Sequence, residues 1–180
     1  EIEVELWGEC YNIEYTTNLI LVGISGMIPP EIGNLTNVTV LNLNYNNLYG
    51  EIPPEIGNMT NLTTLNLNYN VPGFYGEIPP EIGNLTNLTN LYLTGNELTG
   101  EIPPEIGNLT NLTNLYLNNN QLTGDIPVEI GTLTSLSELN LSHNEFSGII
   151  LEEICNQGDS TPSFGDNKLC PPYPDCISQV

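Results

Sequence analysis

The side chains that most often carry catalysis are scarce in this sequence. His143 is the single histidine, and no recognisable motif supplies it with a nucleophile. The chain has no glycine-rich phosphate loop, no cysteines at C-x-x-C spacing and no cluster of metal-ligand residues. These absences predict a non-catalytic protein without a cofactor.

Carboxylates are abundant, but they recur at regular intervals instead of converging on one site. The two recurring sets are Glu51, Glu77, Glu101 and Asp125, and Glu31, Glu55, Glu81, Glu105, Glu129 and Glu153. If successive members stack about 5 Å apart, each neighbouring pair repels by about 0.8 kcal/mol even in water, and salt screens the repulsion. Calcium could bridge neighbours weakly, but neither set has the spacing of a calcium loop. A solvated acidic face is therefore favoured over a metal site.

The Asn-x-Thr motif, which can accept N-linked glycans, occurs eight times, and Asn140 begins one Asn-x-Ser motif. The eight candidate glycosylation sites are Asn34, Asn37, Asn58, Asn61, Asn84, Asn87, Asn108 and Asn111. An alternative interpretation is that Asn34 and its equivalents cap a short helical turn. Glycans on neighbouring repeats would crowd one another, so we do not expect full occupancy.

The charge of the chain limits its partners. Twenty-two acidic residues face one basic residue, Lys168, which gives a net charge of -21. Nucleic acids and anionic membrane surfaces are disfavoured because no cationic surface is available to bind them. No segment approaches the roughly 20 apolar residues of a membrane helix, so we expect no membrane insertion.

The chain starts at Glu1 without a signal-like segment, which we interpret as a removed targeting sequence. Together with the cysteines, this predicts an extracellular or cell-surface location.

An internal repeat dominates the sequence. The string GEIPPEIGN begins at Gly50, Gly76 and Gly100, and a variant begins at Gly124. Leu-x-Leu triplets begin at Leu19, Leu41, Leu65, Leu91, Leu115 and Leu139, at spacings of 22, 24, 26, 24 and 24 residues. A fixed period in the twenties is typical of a solenoid.

Each repeat has a simple physical interpretation. From Leu112 to Leu122 the leucines alternate with polar residues, as in a short strand with one buried face. Asn120 follows that strand, and its amide, once buried, can satisfy backbone groups at the turn. Its equivalents are Asn46, Asn70, Asn96, Asn144 and Asn167. The Pro-Pro pair of IPPEIG is extended, so at most one helical turn follows it, with glycine ending that turn.

This pattern resembles the plant-type leucine-rich repeat, LxxLxxLxLxxNxLxGxIPxxLGxL, over about residues 17–155. The resemblance implies an α/β repeat solenoid, mostly β and loop. Its curve is right-handed, with a concave parallel sheet, short helical turns on the convex side and a second short sheet near the TG of LTGEIP. It also implies a non-catalytic binding or adhesion module at a cell surface. Similar repeats occur in bacterial extracellular proteins.

The ends of the chain depart from the repeat, as terminal repeats do. We expect an N-terminal cap over residues 1–17, about six repeats over 18–155, and a partial repeat with a cysteine-containing cap over 156–180. The alternating EIEVEL segment is predicted to be a capping strand, with Trp7 and Tyr11 covering the first repeat. Val71–Tyr75 carries two extra residues and an aromatic pair, which is either a neutral loop insertion or a contact site.

The concave face is the leading candidate for ligand binding. Its outward positions are rich in asparagine and contain four tyrosines, a combination that suits neutral sugars or extended peptides. The alternative is that asparagine is a neutral, soluble filler in duplicated repeats. The candidate ligand-binding residues are Tyr45, Tyr69, Tyr92, Tyr116, Asn66, Asn90, Asn114 and Asn118.

The four cysteines bear on assembly. Cys170 and Cys176 are six residues apart and are expected to form a disulfide, although Cys155 could instead pair with either of them. Cys10 lies across the whole repeat region from these three and is too distant to bond with them in its own chain. If Cys170 and Cys176 pair, then Cys10 and Cys155 are either buried thiols or an intermolecular, head-to-tail contact that builds a filament.

Three functional hypotheses follow. The first is a binding module for a protein or a neutral glycan, and the second is a structural subunit of an end-to-end filament. The third, ranked lowest, is ice binding, because threonines recur in one column of the convex side, at Thr36, Thr60, Thr86, Thr110 and Thr134.

Overall fold

The concave side of the molecule is a six-stranded parallel sheet. The computed structural model describes residues 3–159 and 161–177. Each repeat contributes one strand at its Leu-x-Leu triplet, namely β3 (Asn18–Ile20), β5 (Val40–Asn42), β7 (Thr64–Asn66), β9 (Asn90–Tyr92), β11 (Asn114–Tyr116) and β12 (Glu138–Asn140). The strands pair in register, so Leu91 lies beside Leu115. A parallel bridge from Asn140 to Ser163 adds a partial seventh repeat. The predicted solenoid is confirmed.

A second set of short strands follows every concave strand of the described residues except β11. Four of them form one sheet, β4 (Ser25–Gly26), β6 (Asn47–Gly50), β8 (Gly73–Gly76) and β10 (Glu97–Leu98). Near the C-terminus β13 (Ser147–Ile149) pairs in parallel with β14 (Lys168–Cys170). The second sheet implied by the family resemblance is therefore present.

The convex side consists of single turns of 3-10 helix. These are η1 (Pro30–Asn34), η2 (Pro54–Asn58), η3 (Pro80–Asn84), η4 (Pro104–Asn108), η5 (Val128–Thr132) and η6 (Glu152–Asn156). Proline is tolerated at the first position because that residue has no intrahelical N–H bond to lose. Within the described ranges, no helix is long and apolar enough to cross a bilayer.

The glycine in each convex turn has a different role from the one predicted. The helix η3 continues one residue past Gly83 and ends at Asn84, so Gly83 does not terminate it. A Cβ on Gly83 would instead lie 2.6 Å from the Cβ and the carbonyl oxygen of Glu105 in the next repeat. Glycine is therefore required because adjacent repeats approach closely there.

Buried asparagines hold the concave strands to the turns that follow them. The Nδ2 group of Asn120 donates to the carbonyls of Leu117 (3.0 Å) and Leu93 (2.9 Å), and its Oδ1 accepts the N–H of Leu98 (3.1 Å). Asn96 and Asn70 make the same contacts one and two repeats earlier. Because Asn46, Asn70, Asn96, Asn120 and Asn144 are all buried, the expectation that they point inward is confirmed.

One continuous apolar core fills the space between the two sides. Leucine and isoleucine from every repeat line it, and Phe74, Phe146 and Phe164 are fully buried within it. The aromatic pair of the Val71–Tyr75 insertion is therefore divided between the core and the surface. Phe74 occupies the position that Leu48 and Leu98 fill in neighbouring repeats, and only Tyr75 is exposed.

An antiparallel hairpin closes the N-terminal end. It comprises β1 (Glu3–Leu6) and β2 (Glu9–Asn12), with Val4 and Leu6 buried. Trp7 packs against the core and donates from Nε1 to the Met27 carbonyl at 3.2 Å, and Tyr11 is partly buried beside it. The alternation of EIEVEL thus produces a strand as expected over residues 3–6, and Glu1 and Ile2 lie outside the described residues.

The disulfide differs from the expected one. Cys155 pairs with Cys176 at a Cα–Cα distance of 5.7 Å, whereas Cys10 and Cys170 are free and exposed. The predicted Cys170–Cys176 bond is wrong because Cys170 ends β14 and is held there by pairing with β13. The chain beyond it folds back so that Cys176 reaches Cys155 in η6. Since Cys155 is already bonded, the proposed Cys10–Cys155 contact between molecules is overturned as well.

Candidate ligand-binding face

The four concave tyrosines occupy two different positions of the repeat. Tyr92 and Tyr116 lie between the two core leucines of strands β9 and β11. Tyr45 and Tyr69 lie later in the repeat, immediately before the buried asparagines Asn46 and Asn70. The four tyrosines are therefore not equivalent anchors: Tyr92 and Tyr116 form a strand pair, and Tyr45 and Tyr69 form a turn pair.

The turn pair is exposed and stacked. The rings of Tyr45 and Tyr69 are 5.2 Å apart with an interplanar angle of 19°, and their side chains are 71% and 42% exposed. Both residues have left-handed backbone conformations, with φ of 52° and 50°. Gly95 takes this position in the next repeat, and a Cβ there would overlap the ring of Tyr69. The missing side chain at Gly95 therefore makes room for the stacked pair.

The strand pair is half-buried and packed edge to face. The ring centroids of Tyr92 and Tyr116 are 5.3 Å apart at 65°. The Tyr92 hydroxyl donates to Oδ1 of Asn90 at 3.2 Å. Burial raises the pKa of Tyr92 above its ordinary value of 10.0, and the negative charge of Glu138 raises it further. The phenol is therefore neutral near neutral pH and presents a fixed, polar-tipped ring.

Three of the predicted ligand-binding asparagines lie on the concave surface, and the fourth is buried beneath it. Asn66, Asn90 and Asn114 lie half-buried on the concave surface, where Asn90 donates to the Thr64 hydroxyl at 3.1 Å. Asn118 is a correction, because its side chain is buried and its Oδ1 accepts the Thr94 hydroxyl at 2.9 Å. It supports the face from beneath and is not available to a ligand.

A cleft of about 250 Å³ opens at the C-terminal end of the concave sheet. Its walls include Tyr116, Glu138, Asn140 and Asp159. The two carboxylate oxygens of Asp159 accept the N–H groups of Leu139 and Thr161, each at 2.8 Å, which fixes this carboxylate at the mouth of the cleft. An aromatic face with two carboxylates beside it can receive a cationic side chain.

Apolar residues at the other end of the face were missed from the sequence. Ile20 and Val22 of the first repeat are 62% and 82% exposed. They occupy the same positions as Asn42 and Asn44 in the second repeat. Extending the columns of outward positions by one repeat would have found them.

Among the residues that the structure describes, His143 has a carboxylate partner but no nucleophile hydrogen-bonded to it. Its Nδ1 lies 3.0 Å from Oδ2 of Asp166, and both side chains are mostly exposed. The neighbouring Ser142 hydroxyl donates to Asn140 at 2.7 Å, away from His143. This pair therefore lacks the serine–histidine bond that nucleophilic catalysis uses.

The acidic sets form columns on successive repeats, in which most carboxylates are exposed and Glu55 and Glu129 are half-buried. Among residues 3–159 and 161–177, no group of three or more histidine, cysteine or carboxylate side chains is placed to hold a metal ion. The side chain of Glu77 lies against Gly100, and Glu101 lies against Gly124 in the same way. The columns thus follow the stacking of the repeats and do not converge.

A larger cleft lies away from the concave tyrosines. It has a volume of about 910 Å³ and separates the N-terminal hairpin from the first convex turns. Its lining carries three carboxylates, Glu3, Glu5 and Glu31. Since it has neither paired aromatics nor a fixed polar ligand group, the concave face remains the better candidate.

Family comparison identifies the repeat. Residues 72–158 match the leucine-rich repeat region family, and residues 37–59 match the Leucine Rich Repeat family. The chain belongs to the leucine-rich-repeat proteins and is of their plant type. No protein with curated annotation matches it.

Similar solved structures include plant receptors and an ice-binding protein. Pollen Receptor Kinase 3 is 31% identical with a TM-score of 0.77, over 86% of this chain and 76% of that one. The plant peptide hormone receptor RGFR1, in complex with RGF2, is 36% identical with a TM-score of 0.79, over 88% and 26%. A plant ice-binding protein is 34% identical with a TM-score of 0.78, over 84% and 49%. The chain spans 18% to 26% of the first peptide-binding receptors it matches.

Proposed function

We propose that this chain is a non-catalytic extracellular module that binds an extended, basic peptide segment of a protein partner along its concave face. The observation that carries the proposal is the C-terminal cleft, where Tyr116 stands beside the carboxylates of Glu138 and Asp159. An arginine or lysine side chain stacked on that ring would meet negative charge at its edge.

The rest of the molecule favours the same class of partner. With 22 acidic residues and one basic residue, its long-range field attracts cations and speeds their encounter. The strand pair lies on the concave sheet and the turn pair lies in the turns that follow two strands of the same sheet, so an extended segment could cross both. The similarity to a plant peptide hormone receptor in complex with its peptide supports this class of ligand.

The test starts from linear peptides selected from a random display library against the unmodified protein. We expect the selected peptides to be enriched in arginine and lysine. Glu138→Gln and Tyr116→Ala should each weaken their binding about tenfold or more, since truncating a central anchor costs at least 1–2 kcal/mol. Glu97→Gln removes the same charge from β10 and serves as the matched control.

Other results would contradict the proposal. If the protein bound only neutral glycans on an array, or if Glu97→Gln weakened peptide binding as much as Glu138→Gln, the cleft would not be the recognition site. We also propose that the acidic columns bind calcium weakly. If they do, calcium should raise the Tm more than magnesium does at equal ionic strength.

Ice binding is a second candidate, favoured by the similarity to a plant ice-binding protein. The threonines Thr36, Thr60, Thr86, Thr110 and Thr134 form an exposed column on the convex side. Thermal hysteresis that disappears when Thr86 and Thr110 are replaced by larger residues would support it. Its absence at high protein concentration would leave peptide binding as the only candidate.

A further inference from the structure

The eight Asn-x-Thr motifs form two columns of exposed asparagines whose hydrogen bonding differs. The outer sequon column consists of Asn34, Asn58, Asn84 and Asn108, which are the last residues of η1 to η4. The inner sequon column consists of Asn37, Asn61, Asn87 and Asn111, three residues further along each repeat. Exposure alone does not distinguish the two columns.

The inner column ties each repeat to the one before it. Nδ2 of Asn87 donates to the Thr60 carbonyl at 2.9 Å, and Nδ2 of Asn61 donates to the Thr36 carbonyl at 2.8 Å. Asn111 and Asn37 make equivalent bonds to Thr86 and Glu14. The nitrogen that would carry a glycan is therefore already a donor between repeats at all four positions.

The hydroxyl of each inner motif is engaged as well. The threonine two residues after the asparagine is half-buried, and its hydroxyl donates to the preceding repeat. Thr89 donates to the Thr63 carbonyl at 2.9 Å, and Thr113 donates to the Thr89 carbonyl at 2.9 Å. Thr63 and Thr39 repeat the pattern. Both groups that define a sequon are thus part of the fold in this column.

The outer column is free of such contacts. Within the described residues, the side chains of Asn84 and Thr86 make no hydrogen bond, and both are exposed. The alternative role as a helix cap is wrong, because Pro79 precedes η3 and no side chain caps it. Asn84 lies at the opposite, C-terminal end of that turn.

We propose that the outer sequon column is the N-glycan acceptor of this protein and that the inner column is a structural connection between repeats. The donor would be an oligosaccharide activated as a lipid diphosphate. The amide nitrogen of Asn84 bonds to the anomeric carbon, the bond from that carbon to the diphosphate oxygen breaks, and the diphosphate leaves with the electron pair while the amide loses a proton. A sugar on Asn87 would instead displace the bond to Thr60, so chains modified there would fold less stably and would not accumulate.

The fifth repeat supplies matched variants. It carries Thr132 where the outer column has asparagine and Ser135 where the inner column has asparagine, and it still stacks in register. Asn84→Thr and Asn87→Ser therefore introduce side chains that this fold already accommodates. Each variant removes one glycan motif, but only Asn87→Ser removes a hydrogen bond between repeats.

The experiment secretes the full chain and both variants from a eukaryotic host. Peptide N-glycosidase in heavy-oxygen water converts each glycosylated asparagine to a labelled aspartate. Cleavage at glutamate then releases residues 82–97, and their fragmentation spectrum assigns the label to Asn84 or Asn87. Thermal unfolding is measured separately on chains made in a host that adds no glycans.

We expect the label on outer-column asparagines only, and fewer than four sites filled in any one chain because of crowding. Asn87→Ser should lower the Tm by about 2–4 °C. Asn84→Thr should not lower it, because the hydroxyl of Thr132, at the same position of the fifth repeat, donates to the Gly107 carbonyl of the preceding repeat at 3.3 Å. Label on Asn87 equal to that on Asn84 would overturn the proposal. So would a secreted chain without glycans when a control glycoprotein is modified in the same host, or an unchanged Tm in Asn87→Ser.

Discussion

The two tyrosine pairs of the concave face have similar ring spacings but different surroundings. Tyr45 and Tyr69 stack in the open at 5.2 Å, whereas Tyr92 and Tyr116 meet edge to face at 5.3 Å and are half-buried between core leucines. The difference arises from where each tyrosine falls in the repeat. The strand position fixes a ring before any partner arrives, while the turn position leaves it available for burial on binding. We therefore expect the fixed rings of Tyr92 and Tyr116, in the C-terminal half, to anchor the bound peptide.

Both tyrosine pairs lie above buried asparagines that make the same hydrogen bonds. Asn70 and Asn120 make matching hydrogen bonds below the two halves. Replacing either with alanine leaves buried carbonyls unpaired and should reduce the free energy of unfolding by about 2–4 kcal/mol in both cases. Denaturant unfolding measures this, with Asn119→Gly as a control because Asn119 is exposed at a φ of 56°. Clearly unequal losses would mean that the halves differ in more than their tyrosines.

The disulfide should stabilise only the C-terminal half. Cys155→Ser opens a loop with a sequence separation of 21 residues and should lower the free energy of unfolding by about 3 kcal/mol. Hydrogen exchange should speed up in β13 and β14 and stay unchanged in β5 and β7. Cys170→Ser, which alters a free and exposed thiol, is the control. Faster exchange in β5 would show that the halves are coupled.

Replacing one tyrosine of each pair with alanine should lower the free energy of unfolding by different amounts. Tyr92→Ala removes a half-buried ring and its bond to Asn90, so we expect a loss of about 1–2 kcal/mol in the free energy of unfolding. Tyr45→Ala removes a ring that is 71% exposed and should cost less than about 1 kcal/mol. Equal losses measured by denaturant unfolding would remove the distinction between the pairs.

Alkaline pH offers a finer probe of Tyr92. Its pKa is raised in the folded state by burial and by Glu138, so folding favours the protonated phenol. The stabilisation is fully present below the unfolded pKa and is lost as the pH rises through 10.0 toward the folded value. Tyr92→Phe should therefore lose less stability over this range than the parent. An identical alkaline profile would show that Tyr92 ionises equally in both states.

Salt should have the smallest effect. Screening of the acidic columns should raise the Tm by a few degrees at most, since each exposed pair contributes about 1 kcal/mol or less. The effect should be similar in the Tyr92→Ala and Tyr45→Ala variants, because the columns lie away from the concave face. A salt response confined to one variant would contradict this.

Local pattern was sufficient to predict the fold. The concave strands at the Leu-x-Leu triplets and the buried asparagines follow from residues within a single repeat, and stacking copies them. The second sheet was implied by the resemblance to the plant-type repeat. The pairing of Cys155 with Cys176 was left open as an alternative, and the sequence could not select it because the path of the tail depends on where β14 docks. The burial of Asn118 depends likewise on Thr94 in the preceding repeat.

The candidate site was predictable only as a list of residues. All four tyrosines were identified, and their positions in the repeat already differ, but the stacking of Tyr45 on Tyr69 depends on the backbone conformation there, where φ is positive. Asp159 was missed because it lies outside the repeat and reaches the face through hydrogen bonds to Leu139 and Thr161. Contacts between distant segments, which the repeat pattern does not encode, set the detail of the site.

Radical footprinting of tyrosines with a selected basic peptide bound tests the central claim most directly. Tyr15, Tyr49 and Tyr75 are exposed outside the concave face and serve as internal references. We expect Tyr116 and Tyr92 to become protected while these three stay reactive. Protection of Tyr49 or Tyr75 with Tyr116 unchanged would place the partner on another surface and contradict the account.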